Sequence, residues 1–401
     1  MSLWFVGFII WLVRLEVSGR LFFYASNGSL YFGDFVSFYM SGKIALSDVR
    51  AQIYSPAVQL EFYNHVIAPL HIYKSPFAQG TPWFFLLMAP FAQYRLEIAY
   101  VLWTLFSLVI GLSGLVLLRK YARQGSIGDI AKFTISVCAS YPALSAIRDG
   151  QNSWLLEGLM AFFCLFWFRQ RDIACGIMLG LTCIKPQYLL FLVVPVLAML
   201  RFKVLVCAGI TVAVFVLLST LVFVWPTVIS YPSVLSIAEK ISPEVLPTWM
   251  ASIRGPLSLL LPRDLAFQIS SIVMLLAAVF LFVLWRRVYD GSFGNQRMVM
   301  AITIVIALIT SAHTHVYDLT ILAVAAALTV EFGSKLKQAI LLRTWNLCLA
   351  AYPPVGVVLF IITDFSPYQE IIGVVYFLLN MVLLVCGLQY IFKCSQCVQE
   401  I

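Results

Sequence analysis

Five groups of polar residues in this chain have the chemistry to act on a substrate. Gly33-Asp34-Phe35 places a carboxylate at the start of a segment of small and aromatic residues. Such a carboxylate serves either as an N-cap or as a general base that takes the proton of a hydroxyl. Arg148-Asp149-Gly150-Gln151-Asn152 forms a tight polar turn between two apolar stretches. Gly and Asn explain the turn, whereas Arg148, Asp149 and Gln151 together exceed what a turn requires and can hold hydroxyls or a phosphate. In Thr182-Cys183-Ile184-Lys185-Pro186-Gln187 a lysine lies among apolar residues with a proline behind it. It is either a snorkelling cation or a point charge for a lipid-linked phosphate, and Gln187 stands beside it. His313-Thr314-His315-Val316-Tyr317-Asp318 is the densest polar cluster, suited to hydrogen-bonding a phosphate or a sugar with Asp318 behind the imidazoles. It lacks a third ligand, so no metal is expected there. Arg254, in Ser252-Ile253-Arg254-Gly255, is either a solvated loop charge or a further phosphate ligand. Tyr39 and Tyr54 belong to an aromatic-rich stretch that fits sugar stacking and equally fits the headgroup level of a membrane.

The elements that must carry these residues are transmembrane helices. Of 401 residues 62% are hydrophobic and 11% are charged, against roughly a quarter charged in an ordinary soluble domain; mean hydropathy is +0.95. Long stretches such as 269–285 and 373–392 are apolar all round, which excludes an alternating β-barrel pattern. Apolar runs near 3–24, 94–118, 131–147, 151–168, 173–184, 186–200, 203–224, 265–285, 297–312, 316–333, 345–362 and 371–392 predict an all-α polytopic membrane protein of about 10–13 transmembrane helices. Arg14, Glu16 and Arg20 interrupt the first run. The short runs that meet at Lys185-Pro186 predict a hairpin or a broken helix.

The net charge is +8, but the cations sit at the ends of apolar runs. Arg119 to Lys132, Arg169 and Arg171, Arg201 and Lys203, Arg286 to Arg297, Lys335 to Arg343, and Lys393 fall at every second connection. This is a topology signal and no nucleic-acid stripe. It predicts both termini on the cytoplasmic side and a single integral domain, with 25–93 as a first extracytoplasmic loop holding a re-entrant or interfacial segment, and 225–264 as a second. Nearly all the polar groups named above then converge on the extracytoplasmic face. The nine cysteines are irregularly spaced in or near apolar segments, so no disulfide framework is expected, and Cys394-x-x-Cys397 lacks a second pair for zinc. The first residues show no positive n-region or cleavage site, so a cleaved signal peptide is not expected.

In order and in kind these motifs resemble glycosyltransferase family 87, the polyprenol-phosphate-mannose-dependent mannosyltransferase-like group of the GT-C superfamily. Asp34 with Tyr39 is similar to the family's early Asp-aromatic segment, and Ile53-Tyr54-Ser55-Pro56 to the turn that follows it. Gly150-Gln151-Asn152, Lys185-Pro186-Gln187 and Ser311-Ala312-His313-Thr314-His315-Val316-Tyr317-Asp318-Leu319 match its pattern. Gly80-Thr81-Pro82-Trp83 and Ala312 depart from it. The resemblance implies an inverting hexosyltransferase of the bacterial inner membrane that needs no cofactor or metal and takes its sugar, best known as mannose, from a polyprenyl-phosphate donor to a lipid or glycan acceptor. Asp34 would be the base. Lys185, His313, His315 and Arg254 would face the donor phosphate. Tyr39, Tyr54, Arg148, Asp149, Gln151, Asn152, Gln187, Tyr317 and Asp318 would line the substrates. The competing class is a transporter or flippase of polyprenyl-linked lipid or sugar, since broken helices and buried charges also mark transport sites.

Overall fold

A computed structural model describes residues 33–68, 71–73, 78–122, 127–235, 250–290, 296–329 and 371–399. The expected spans at 3–24 and 345–362 lie outside the described residues, as do parts of both expected outer loops and the side chains of Cys394 and Cys397. All regular structure among the described residues is helical, in keeping with an all-α polytopic membrane protein. In chain order the helices are α1 (Gly33–Ala45), α2 (Pro56–Val66), α3 (Pro82–Met88), α4 (Leu96–Ala122), α5 (Ile127–Cys138), α6 (Tyr141–Arg148), α7 (Ser153–Phe168), α8 (Asp172–Leu181), α9 (Pro186–Ala198), α10 (Phe202–Phe223), α11 (Trp225–Ile229), α12 (Arg254–Leu260), α13 (Arg263–Tyr289), α14 (Gln296–Thr310), α15 (Leu322–Thr329) and α16 (Ile371–Gln399). Short 3₁₀ turns at Thr182–Ile184 and Val316–Ile321 bracket the polar corners of the chain.

Four of the described helices are long and apolar enough to cross a membrane: α4, α10, α13 and the Gly373–Phe392 part of α16. The run expected at 131–147 is a broken element, because Pro142 at the start of α6 stops α5 and the two axes differ by 58°. The corner at Lys185-Pro186 is also broken: α8 ends in the 3₁₀ turn and proline starts α9. Its fixed φ and missing N–H suit that first position.

The bundle closes around α7, whose residues from Ser153 to Ala161 are all buried. Helix α4 approaches it so closely that a Cβ on Gly158 would lie 2.5 Å from the Ile110 carbonyl oxygen. Small residues at such a crossing let two backbones meet where the lipid gives no hydrophobic drive for association. By contrast α10 and α13 leave Val206, Ile210, Leu217, Leu221, Ile272, Leu275, Leu276 and Val279 exposed, an apolar exterior suited to lipid.

The two ends of the bundle differ. At one end lie the 148–153 turn, Lys185 and the 311–318 hairpin, which begin or end α6, α7, α9 and α14. At the other end, arginines from neighbouring elements donate to the last carbonyls of helices. Arg201 Nη1 reaches Trp167 O at 3.0 Å, Arg286 Nη1 reaches Ala198 O at 3.1 Å, and Arg297 Nη1 reaches Ala122 O at 3.1 Å. Carbonyls in the last turn have no partner within their helix, and a cation there also meets the negative end of the helix dipole.

The close α4–α7 crossing makes Gly158→Ala costly, by about 1–3 kcal/mol for forced overpacking. Gly209 has open space where a Cβ would stand, so Gly209→Ala should cost no stability and gain up to about 1 kcal/mol from helix propensity. Thermal unfolding of both variants in detergent, followed by tryptophan fluorescence, checks the contrast.

Candidate active site

The polar end is organised by the turn that leads from α6 into α7. Gly150 has φ +61°, a left-handed conformation that glycine adopts without strain, and a Cβ there would lie 2.5 Å from the Phe35 Cβ. The absence of that Cβ lets α1 dock: the Phe35 N–H donates to Asp149 O at 3.1 Å. From α4, Trp103 Nε1 donates to Gly150 O at 2.9 Å and the Tyr100 hydroxyl donates to Ile147 O at 2.6 Å. The turn is thus fixed from two sides before any charged group is considered.

Two residues of this turn hold two acids that come from distant parts of the chain. Gln151 Nε2 donates to Asp34 Oδ2 at 2.6 Å. Ser153 Oγ donates to Asp318 Oδ1 at 2.8 Å. Asp318 Oδ1 also receives Lys185 Nζ at 2.5 Å, and its Oδ2 accepts the His315 N–H at 3.2 Å. The Asp318 side chain is 1% exposed and that of Lys185 15%, so the pair is buried on its Asp318 side and open on its Lys185 side. Lys185 Nζ also lies 5.3 Å from the centre of the Tyr317 ring, which stacks on His315 at 5.2 Å.

Asp34 opens to solvent, yet dense protein surrounds it. Lost solvation is the largest influence on its carboxyl and, with the negative charge of Asp149, pushes it up to about 6; the Gln151 hydrogen bond and the charges of Arg148 and Lys185 act the other way. At neutral pH the group is mostly ionised and close to the affinity for protons that a general base requires. His315 moves in the opposite sense. Burial, opposed by Asp318 and reinforced by His313, Lys185 and Arg254, lowers it to about 4, so its imidazole is neutral at pH 7.

Arg254 is fully buried, which overturns its reading as a solvated loop charge. The segment before it runs along the hairpin, with Ala251 N–H to Thr314 O at 2.8 Å and Ile253 N–H to Ile309 O at 2.7 Å. This pairing sets Arg254 Nη1 3.3 Å from Ala312 O and 3.2 Å from His313 Nε2, with the guanidinium 4.9 Å from the Phe267 ring centre.

The other expected site residues fall into two groups. Arg148 and Asp149 form a bidentate pair with each other at 2.7 and 3.0 Å, so much of their hydrogen-bonding capacity is used internally. Asn152 is buried at the start of α7 with its side-chain oxygen unpaired, and Gln187 is half-buried at the Lys185 corner. Tyr39 and Tyr54 act as struts: their hydroxyls donate to Tyr94 O and Gly80 O, both at 2.8 Å. Among the described residues no group of three His, Cys, Asp or Glu side chains is arranged to hold a metal ion.

Three residues make contacts that the sequence alone does not assign to them. Ser153 joins the turn to Asp318, the Tyr188 hydroxyl lies 3.0 Å from Thr314 Oγ1, and Trp83 Nε1 donates to Cys183 O at 3.1 Å, which steadies the Lys185 corner. Ser153 directly follows Gln151-Asn152 and had a sequence signal in its polar character. Tyr188 and Trp83 had none, because their partners are remote in sequence.

The profile of glycosyltransferase family 87 matches residues 79–330, a range that contains every site residue except Asp34, Tyr39 and Tyr54. The chain belongs to that family, and it is a membrane glycosyltransferase. No curated protein matches it.

Removing one member of a buried ion pair costs about 3–5 kcal/mol when the other is stranded. Asp318→Asn should therefore lower the unfolding midpoint more than Gln151→Ala does. Adding Lys185→Met to Asp318→Asn should recover part of the loss, and additive losses in that double-mutant cycle would show that the pair is not energetically coupled.

Proposed function

We propose that the protein transfers a hexose, with mannose the leading case, from a polyprenyl-phosphate donor to a hydroxyl of a lipid or glycan acceptor, with inversion at the anomeric carbon. The observation that carries this reading is the gathering of an accessible carboxylate, Asp34, and a cation, Lys185, around one turn, with Arg254 on the adjoining hairpin beside His313. The site would lie on the extracytoplasmic face of the plasma membrane, with both termini cytoplasmic, as the charge pattern implies.

In the proposed step Asp34 takes the proton of the acceptor hydroxyl through the carboxylate oxygen that Gln151 leaves free. The acceptor oxygen bonds to the anomeric carbon as the bond from that carbon to the phosphate oxygen breaks. The electron pair leaves with the polyprenyl phosphate, which passes from a singly charged diester to a monoester approaching two negative charges. Positive groups that meet this growing charge lower the barrier most, because their effect is larger in the transition state than in the bound donor. Lys185 retains two N–H donors beyond the one given to Asp318, and Arg254 with His313 provides a second donor group. His315, being neutral, contributes a hydrogen bond to phosphate or sugar in place of a charge. Tyr317 and Gln187 complete the proposed lining, Asp318 and Asn152 stand enclosed behind it rather than on it, and Arg148 and Asp149 set the local charge beside the base. The gathering of the proposed site residues at one end of the helices favours transfer over transport.

Transfer is tested with purified protein and a panel of radiolabelled polyprenyl-phosphate sugars and membrane-lipid acceptors. Asp34→Asn should lower turnover by about 10²–10⁴-fold, the usual worth of a general base, while donor binding stays intact; retained turnover removes Asp34 from that role. Lys185→Ala should weaken donor binding, and an unchanged donor dissociation constant takes it out of the phosphate site. For the wild type, kcat/KM should fall as the pH drops through about 6 and level off above it, since the base acts only when ionised.

A further inference from the structure

At the end of the bundle opposite the acid-base site, a cavity of about 440 Å³ is lined by Phe166, Arg169, Arg171 and Ala174. From the Ser153 end, the 16 residues of α7 place it about 24 Å from the catalytic turn at 1.5 Å per residue. The two arginines are presented by a tight connection from α7 to α8. Gln170 has φ +55°, and the Arg171 N–H folds back onto Phe166 O at 3.0 Å. Both arginines are exposed. Arg169 rests 5.3 Å from the ring centre of Tyr121, whose hydroxyl donates to Phe168 O, and Arg297 lies 5.7 Å from the same ring.

The acid nearest in sequence does not quench this charge. Asp172 is held by Arg201, whose Nε lies 3.0 Å from Asp172 Oδ1. The Arg171 side chain has no partner among the described residues. A basic recess of this kind binds an anion, and its surroundings indicate which kind. Phe166 stacks on Phe162 one turn deeper, with ring centres 6.1 Å apart and planes at 17°. Both rings are half-buried, as are Ala174 and Met178, the corresponding pair at i and i+4 on α8. An apolar track therefore leads from the charged mouth along two antiparallel helices into the hydrocarbon depth.

We propose that this cavity is a binding site for an anionic membrane phospholipid, with the phosphate on Arg169 and Arg171 and an acyl chain along Phe166, Phe162 and Met178. Basic recesses between helices at a membrane surface bind lipid head groups in this way, and arginine suits a phosphate because its planar donors meet two oxygens at once. The site is independent of the sugar-transfer reading, because it shares no residue with the acid-base cluster.

Native mass spectrometry of the full chain in neutral detergent, with dioleoyl-phosphatidylglycerol, dioleoyl-phosphatidylcholine or glycerol 3-phosphate added, tests the assignment. The wild type should retain phosphatidylglycerol over phosphatidylcholine by about tenfold or more, from two arginines near a lipid phosphate. Arg171→Gln should reduce that preference several-fold, and Arg169→Gln/Arg171→Gln should abolish it. Replacing both by lysine should preserve most of it. Arg171 is exposed and its side chain has no partner among the described residues, so the single variant carries the test even where the double variant fails to fold. Equal retention of the two lipids, or an unchanged preference in Arg171→Gln, overturns the proposal. Binding of glycerol 3-phosphate as tight as that of the lipid overturns its lipid part, because the apolar track would then contribute nothing.

Discussion

The docking of the Arg148–Ser153 turn against α1 and α4 is the constraint on which the rest of the polar end depends. Asp34 and Asp318 are 284 positions apart in the chain, and each is held by a side chain from this one turn. Their relative placement is therefore set by a handful of backbone dihedrals in the turn. Trp103, Tyr100 and the Phe35 N–H lock those dihedrals from outside. The Phe35 and Trp103 donors satisfy the Asp149 and Gly150 carbonyls at a helix end, where buried polar groups are costly, and Tyr100 adds a second partner to the Ile147 carbonyl, which already accepts the Gly150 N–H.

Charge distribution at this end follows from the same geometry. Asp318 is almost fully enclosed, and it is satisfied by Ser153, Lys185 and the His315 N–H. Asp34 keeps one hydrogen bond from Gln151 and access to solvent. Two carboxylates of the same type thus have different tasks available to them. The enclosed one fixes a lysine, and the open one can exchange a proton. Neighbouring Arg148 and Asp149 largely cancel each other, so the field at Asp34 depends on small differences in distance.

Much of the helical architecture was legible in the sequence because a bilayer permits few solutions. Among the described residues, apolar runs with terminal cations and the proline corner at Pro186 appear where the pattern puts them, whereas the break at Pro142 divides a stretch that the pattern gives as one run. Local chemistry also pointed to Asp34, Gln151, Lys185 and Asp318 as unusual. Their pairing was not legible: no spacing rule connects Gln151 to Asp34 or Ser153 to Asp318, since those contacts arise from helix crossings. Arg254 shows the same limit. In sequence it is one basic residue in a connection, and only the backbone pairing of 251–253 with the hairpin reveals it as a buried guanidinium beside His313.

The short helices at the centre have a further consequence. Helix α7 has 16 residues and α9 has 13, giving lengths of about 24 and 20 Å at the standard rise, while a hydrocarbon core is ~30 Å thick. Around them α4 and α13 have 27 residues each, enough to span with tilt. The middle of the protein is thus built of shorter helices than its rim, and in a bilayer matched to α4 and α13 the 148–153 turn, the proposed site, would form the floor of a depression below the level of the surrounding lipid head groups. A lipid-bound substrate could reach such a floor by lateral movement within its leaflet, whereas a water-soluble one would have to descend to it. Bilayer thickness then becomes a variable of the enzyme: a thicker membrane would deepen the depression and lengthen the path of every hydrophilic acceptor.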